Sequence, residues 1–249
     1  MKFLRPIIVF VGLIAAWEAL VLLSGVQHFI LPGPGRVARA LAAHWPELLE
    51  HAGVTITEIL LGLALGALLG CLSALIIASF PPVRRWLLPV LVVSQAIPVF
   101  ALAPVLVLWL GYGLASKVAM ATLIIYFPVT AAFFDGLRRT EPGWLDLART
   151  MGGSRMRILR HVQVPAALPA LSSGVRVATA VAPIGAVVGE WVGSSAGLGY
   201  MMLQANARMQ VDVMFAALFV LAVFAVGLYA AVDAGLRRAL PWQAEDGVT

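Results

Sequence analysis

Lysine is nearly missing from this 249-residue chain: Lys2 and Lys117 are the only two. A nucleotide-binding P-loop needs Gly-x-x-x-x-Gly-Lys-Ser/Thr, and neither lysine stands in such a run, so this chain has no phosphate cradle of that kind. Charge of either sign is scarce. Asp, Glu, Lys and Arg make up 12% of the residues, about half the roughly 25% usual for a soluble domain. Cysteine occurs once, as Cys71 between Gly70 and Leu72, which excludes an internal disulfide and leaves a small packed residue. The histidines His28, His44, His51 and His161 form no Glu-x-x-His or Cys/His cluster, so no metal site is expected. Ser194-Ser195 beside Gly193 has no base in a matching motif, which argues against a hydrolase.

What the chain has instead is apolar surface. Apolar residues are 61% of it and the mean hydropathy is +0.97, which calls for a bilayer rather than a large soluble core. The apolar segments run from end to end, so residues 1–249 read as one membrane domain with a core over about 54–236. A net charge of +5 could suggest nucleic acid, but no basic face carries interleaved aromatics; the arginines sit in short loops, as topology signals do.

A membrane helix takes about 20 mainly apolar residues. The stretches Ile7–Leu23, Ile59–Ala78, Trp86–Gly111, Val118–Phe134, Ala170–Val192 and Val213–Val232 qualify, and predict an all-α membrane protein of six spans. Gly62, Gly66 and Gly70 recur every fourth residue, a small-residue stripe along which a second helix can approach closely. Pro89, Pro98 and Pro104 in the third span and Pro128 in the fourth predict kinks. With the N-terminus inside, twelve basic residues (Lys2, Arg5, Arg84, Arg85, Arg138, Arg139, Arg149, Arg155, Arg157, Arg160, Arg237, Arg238) are cytoplasmic. Arg36, Arg39, Lys117 and Arg208 are the four outside, so both termini are expected in the cytoplasm. A short amphipathic stretch, Val37–Leu49, is expected on the outer surface after the turn at Leu31-Pro32-Gly33-Pro34-Gly35.

The longest polar loop, about 138–165, separates two apolar halves. Thr140 can cap a helix that begins at Pro142, with Glu141 favourable near its positive end. Trp144, Leu145, Ala148 and Met151 then share a face, and Gly152-Gly153 stops the helix. Arg155–Val162 can form a second short helix before a proline exit at Pro165. An apolar helical face in a loop needs a cover, either lipid or a partner protein.

The spacing of this loop carries a resemblance. Asp146-Leu147-Ala148, three residues, Gly152, nine residues, Val162, one residue, Val164-Pro165 is similar to the EAA loop of ATP-binding-cassette importer permeases: Glu-Ala-Ala, three residues, Gly, nine residues, Ile, one residue, Leu-Pro. Asp146, Leu147, Val162 and Val164 are departures, and Asp146 has a shorter reach than Glu. Leu31-Pro32-Gly33-Pro34, Ala96-Ile97-Pro98, Trp109-Leu110-Gly111 and Gly197-Leu198-Gly199-Tyr200 look like the branch serving nitrate, sulfonates, taurine and thiamine-precursor pyrimidines. Asn206-Ala207-Arg208-Met209-Gln210 looks most like the hydroxymethylpyrimidine-type permeases.

The resemblance implies a type I importer permease of the bacterial inner membrane that is not an enzyme. It implies a permease homodimer, a separate P-loop ATPase that binds ATP and Mg, and an external binding protein that delivers a small solute. The coupling residues it implies are Asp146, Leu147, Ala148, Gly152, Val162 and Pro165. A pyrimidine precursor of thiamine is the first expectation for the solute, with taurine, an alkanesulfonate or nitrate as alternatives. Gln95, Tyr126 and Glu190 are the polar candidates for the translocation path. The competing class is an ion-coupled carrier, which needs ionisable groups deep in its spans; only Glu18 stands clearly inside one.

Overall fold

A computed structural model describes residues 4–94 and 96–242 of the chain. Its helices are α1 (Leu4–Ser24), α2 (Pro34–Ala43), α3 (Trp45–Ser79), α4 (Pro81–Ser94), α5 (Val99–Leu110), α6 (Leu114–Arg138), α7 (Pro142–Thr150), α8 (Arg155–Ile158), α9 (Val164–Gly193), α10 (Leu198–Ala207) and α11 (Val211–Ala239). One π-helical turn, Leu159–Gln163, joins α8 to α9, and no strand occurs among the described residues.

Four helical runs are long and apolar enough to cross a bilayer: Trp45–Ser79, Leu114–Arg138, Arg155–Gly193 and Val211–Ala239. The expected third span, Trp86–Gly111, is instead two helices, α4 and α5, set at 103° to each other; taken together they would make a fifth crossing. The break has a local cause. Pro98 stands at the N-cap of α5 with φ −60° and ψ 117°, and a proline disfavours helical geometry in the residue before it. In α1 the apolar stretch Val11–Ser24 is shorter than these runs, so by length and composition the described residues hold four or five crossings where six were expected. The amphipathic stretch Val37–Leu49 also divides. It becomes α2, which ends before His44, and the opening of α3, which restarts at Trp45-Pro46.

The chain clusters into two compact units, Met1–Thr55 with Ser195–Val223, and Ile56–Ser194 with Phe224–Thr249. In the first, Trp17 stacks on Phe215 with ring centroids 5.8 Å apart. Glu18 lies against the start of α2: a Cβ on Gly33 would stand 3.1 Å from its Oε2. His51 Nδ1 and Thr55 Oγ1 accept from the backbone N–H groups of Gly197 (2.9 Å) and Leu198 (2.8 Å), which caps α10 from α3.

In the second unit α6 is the central helix, with α3 and α9 laid close upon it. The glycine stripe of α3 is the reason on one side. A Cβ at Gly66 would stand 2.6 Å from Ile125 Cγ2, and one at Gly70 3.0 Å from the Val129 side chain. On the other side a Cβ at Gly174 would stand 2.9 Å from the Pro128 carbonyl oxygen, and one at Gly185 2.8 Å from Ala121 Cα. Close backbone approach provides the van der Waals contact that drives helix association where lipid offers no hydrophobic force. At the loop-bearing end Ile77, Leu91, Phe133, Phe134, Leu137, Leu159 and Ala167 form one buried apolar cluster.

Candidate functional site: the loop from Arg138 to Pro165

Pro142 begins α7, where a missing N–H costs nothing because the first turn has no carbonyl to give it. The expected cap differs from the observed one. Glu141 is the residue at the N-cap, and its side chain makes no cap hydrogen bond. Thr140 is buried, its hydroxyl donating to the Leu137 carbonyl at 3.1 Å, so it closes α6 instead of opening α7.

The glycine stop is a complete Schellman motif. Gly152 has φ +77°; its N–H donates to Arg149 O at 2.9 Å, and that of Gly153 to Ala148 O at 2.9 Å. Gly153 is needed for a different reason: a Cβ there would stand 2.7 Å from the Ala148 carbonyl oxygen. We expect Gly152→Val to strain this end by about 1–3 kcal/mol, because a β-branched residue is forced to positive φ. Hydrogen exchange should rise over residues 147–153 while the melting of the spans stays unchanged. Unaltered exchange there would show that the turn does not depend on glycine.

Beyond the stop, Ser154 caps α8 by accepting from the Arg157 N–H at 3.5 Å. The helix then runs on. Arg155–Gly193 is continuous, so Pro165 is not an exit but a residue in the first turn of α9. The π turn just before it moves the bonding by one residue, Val164 N–H to Leu159 O, and loosens the helix where the proline ring would crowd the preceding turn.

The loop is fastened to the spans. Gln163 Nε2 donates to Leu137 O at 3.2 Å, and Arg155 to Ala78 O, the end of α3, at 3.4 Å. Ile158 and Leu159 are buried. By contrast α7 buries no residue. Leu145 and Ala148 are half-buried, whereas Trp144, Leu147 and Met151 are 54%, 60% and 78% exposed. These three share one side of the helix by their i, i+3, i+7 spacing, so the observed outward apolar face contains Leu147 and lacks Leu145. Asp146 Oδ1 accepts from Arg149 at 2.7 Å; both side chains are exposed, and such a pair is worth about 0–1 kcal/mol, so neither charge is committed. The structure therefore puts Asp146, Leu147, Ala148 and Gly152 on the outlying helix and its end, and Val162 and Pro165 in the root of α9.

A second polar cluster, at the opposite end of the same helices, was not anticipated. Glu58 of α3, Lys117 of α6 and Glu190 of α9 are 0%, 6% and 1% exposed. Lys117 Nζ is 3.3 Å from Glu58 Oε1, and the Glu190 carboxyl lies against that of Glu58. Gly189 makes room for the lysine stem: a Cβ there would stand 3.3 Å from Lys117 Cα. Lys117 is thus not a loop cation but a buried ion-pair partner, and the spans hold more ionisable groups than Glu18. The sequence signal was available, since each of the three stands at the edge of an apolar run. Arg176 Nε meets Asp233 Oδ1 at 2.6 Å, and Asp233 Oδ2 meets Arg237 at 2.9 Å, tying α9 to α11.

Of the path candidates, Gln95 lies outside the described residues. Tyr126, half-buried in α6, donates its hydroxyl to Ser73 Oγ on α3 at 2.8 Å. It stands nine residues along α6 from Lys117, roughly 13 Å at the helical rise, so Tyr126 and Glu190 are not neighbours.

The family described as "Binding-protein-dependent transport system inner membrane component" matches residues 62–240. A probable ABC transporter permease protein of Haemophilus influenzae is 54% identical over 95% of this chain and 97% of its own. The formylaminopyrimidine transport permease protein of Halalkalibacterium halodurans is 36% identical, covering 96% of each chain. The riboflavin transport system permease protein of Chloroflexus aurantiacus is 37% identical over 93% of this chain and 87% of its own. Permeases for taurine and aliphatic sulfonates are related too, at 29% and 30% identity. Among solved structures, an inward-facing form of the MetNI methionine ABC transporter has the same fold, with a TM-score of 0.61, 22% identity and coverage of 84% of this chain and 98% of that one.

Proposed function

Since the chain belongs to the family of binding-protein-dependent transport system inner membrane components, and is therefore the multi-pass permease subunit of an ABC importer and not an enzyme, we propose that α7 is its coupling helix. The observation that carries this is the outward face of Trp144, Leu147 and Met151, uncovered in the chain and held on a loop pinned to α3, α6 and α9. An apolar stripe on a short exposed helix suits a groove in a partner. That partner is a P-loop ATPase, which binds the ATP and Mg that this chain has no motif to hold. Asp146 offers it a charge, Leu147 an apolar anchor, and Gly152 fixes the exit angle; Ala148 is on the inner side of α7, and Val162 and Pro165 stand where the loop runs into α9. The loop is then cytoplasmic, and with α1 taken as a crossing beside the bent pair α4–α5 so are both termini.

Two copies of the permease enclose the path. The glycine stripe of α3 does not serve that contact, because α6 fills it. Purification of a 1:1 complex with a different permease chain would overturn the homodimer.

For the solute we take a pyrimidine precursor of thiamine, delivered by an external binding protein. The support is the formylaminopyrimidine permease at 36% identity together with the Asn206–Gln210 resemblance; taurine and sulfonate permeases are less similar. Specificity rests mainly with the binding protein, since a path that held its solute tightly would release it slowly. Calorimetry on the binding protein that serves this permease is expected to show tight binding of an aminopyrimidine and none of taurine. Tight sulfonate binding without pyrimidine binding would sink the assignment.

A further inference from the structure

We propose that the cleft between α4 and α6, at the end of the molecule that carries the loop, binds the headgroup and upper acyl chain of an anionic phospholipid, with Arg84 and Arg138 as the ligands of its phosphate. The cleft has a volume of about 300 Å³ and is walled by apolar side chains, among them Leu88, Leu91 and Phe127. Arg138 lines its mouth. The guanidinium carbons of Arg84 and Arg138 stand 5.7 and 5.5 Å from the centre of the same ring, that of Phe134, which is buried.

Two cations gathered on one aromatic ring repel each other, and the ring alone is a weak counterweight to both. Neither arginine forms an ion pair among the described residues, and both are exposed. The place is thus short of an anion. Its level in the membrane fits a headgroup, because Trp86, two residues after Arg84, is exposed, and tryptophan favours the boundary between hydrocarbon and water. Basic pockets between spans are where anionic headgroups settle.

The apolar wall points to a lipid rather than a free ion, since hydrocarbon has something to fill. Asp135 also lines the cleft. Its carboxylate opposes a multiply charged free phosphate more than a phosphodiester, which carries one charge.

The test uses the full-length chain with its co-purifying subunits, delipidated in mild detergent and titrated with phosphatidylglycerol or phosphatidylcholine under native mass spectrometry. Phosphatidylglycerol should be retained and phosphatidylcholine should not. Each arginine removed, in Arg84→Gln and Arg138→Gln, should weaken retention about fivefold, and the pair about thirtyfold. Leu88→Trp keeps both charges but fills the cleft, and should weaken retention as well. Both arginines are exposed, so a normal melting curve is expected for the two glutamine variants. Equal retention of the two lipids, or wild-type retention by the double variant, overturns the site. Displacement of the lipid by inorganic phosphate, with Leu88→Trp without effect, would assign the arginines to a free anion and overturn the lipid reading. The readout needs neither ATP nor transport, so it stands or falls apart from the importer assignment.

Discussion

Replacing Lys117 by methionine is expected to destabilise the folded permease by about 3–5 kcal/mol, the usual consequence of removing one partner of a buried ion pair. The methionine nearly matches the lysine stem in volume, so packing against Gly189 is kept and the loss is electrostatic. What remains is two carboxyl groups, Glu58 and Glu190, side by side and almost without solvent, with the cation beside Glu58 gone. In a thermal melt of the purified protein the midpoint should fall by roughly 10 °C. Adding Glu58→Gln to Lys117→Met removes one of the stranded carboxyls, and should recover more than half of the loss. Single effects that simply add in the double variant would show that Glu58 and Lys117 are not coupled, since residues in direct contact commonly interact by 0.5–3 kcal/mol, on the order of the effect sought. A midpoint within 2 °C of the wild type would remove the cluster from the account of stability.

The second large effect is expected at α7 and leaves the fold alone. Trp144→Asp and Leu147→Asp should each weaken association with the ATPase by about 2 kcal/mol or more, roughly thirtyfold, if these side chains are the central anchors of a helix-in-groove contact. A carboxylate placed in an apolar groove is also desolvated without a partner, which adds to the loss. The permease itself should not notice, because α7 buries no residue of its own and exposed substitutions usually move stability by under about 0.5 kcal/mol. ATPase co-purification and permease-stimulated ATP hydrolysis measure the first; a melting curve measures the second. Full ATPase retention by the double variant would mean that the partner docks elsewhere, and a collapsed melt would mean that α7 is structural.

The loop over 138–165 was legible in the sequence because its information is local. A proline at a helix start, a glycine where φ must be positive and a nine-residue gap are properties of neighbours along the chain, and Pro142, Gly152 and the helix start at Arg155 all appear where the pattern set them, although the helix expected over Arg155–Val162 does not stop there. The misplaced details were those that depend on what stands opposite. Thr140 was free to cap α7 until the end of α6 offered it a carbonyl. Pro165 read as a helix end, yet the helix passes it, because a π turn absorbs the missing donor. Leu145 and Leu147 exchange roles, one turned toward the molecule and one away, and one helix wheel cannot choose between them.

Composition and periodicity by themselves determined that this is a helical protein of the bilayer, that it hydrolyses no nucleotide through a P-loop, and that one polar loop breaks its apolar course. Each follows from terms summed along the chain, where hydropathy, helix signals and motif spacing need no partner. Only the tertiary structure decided which helix is central and where the charges go. The stripe of Gly62, Gly66 and Gly70 was visible, but that it would be filled by α6 of the same chain depends on shape across an interface. Glu58, Lys117 and Glu190 each looked like a residue at the rim of its own span. Their meeting is a matter of three helices closing on one another, and in a medium that solvates no charge it is that meeting which makes their burial tolerable.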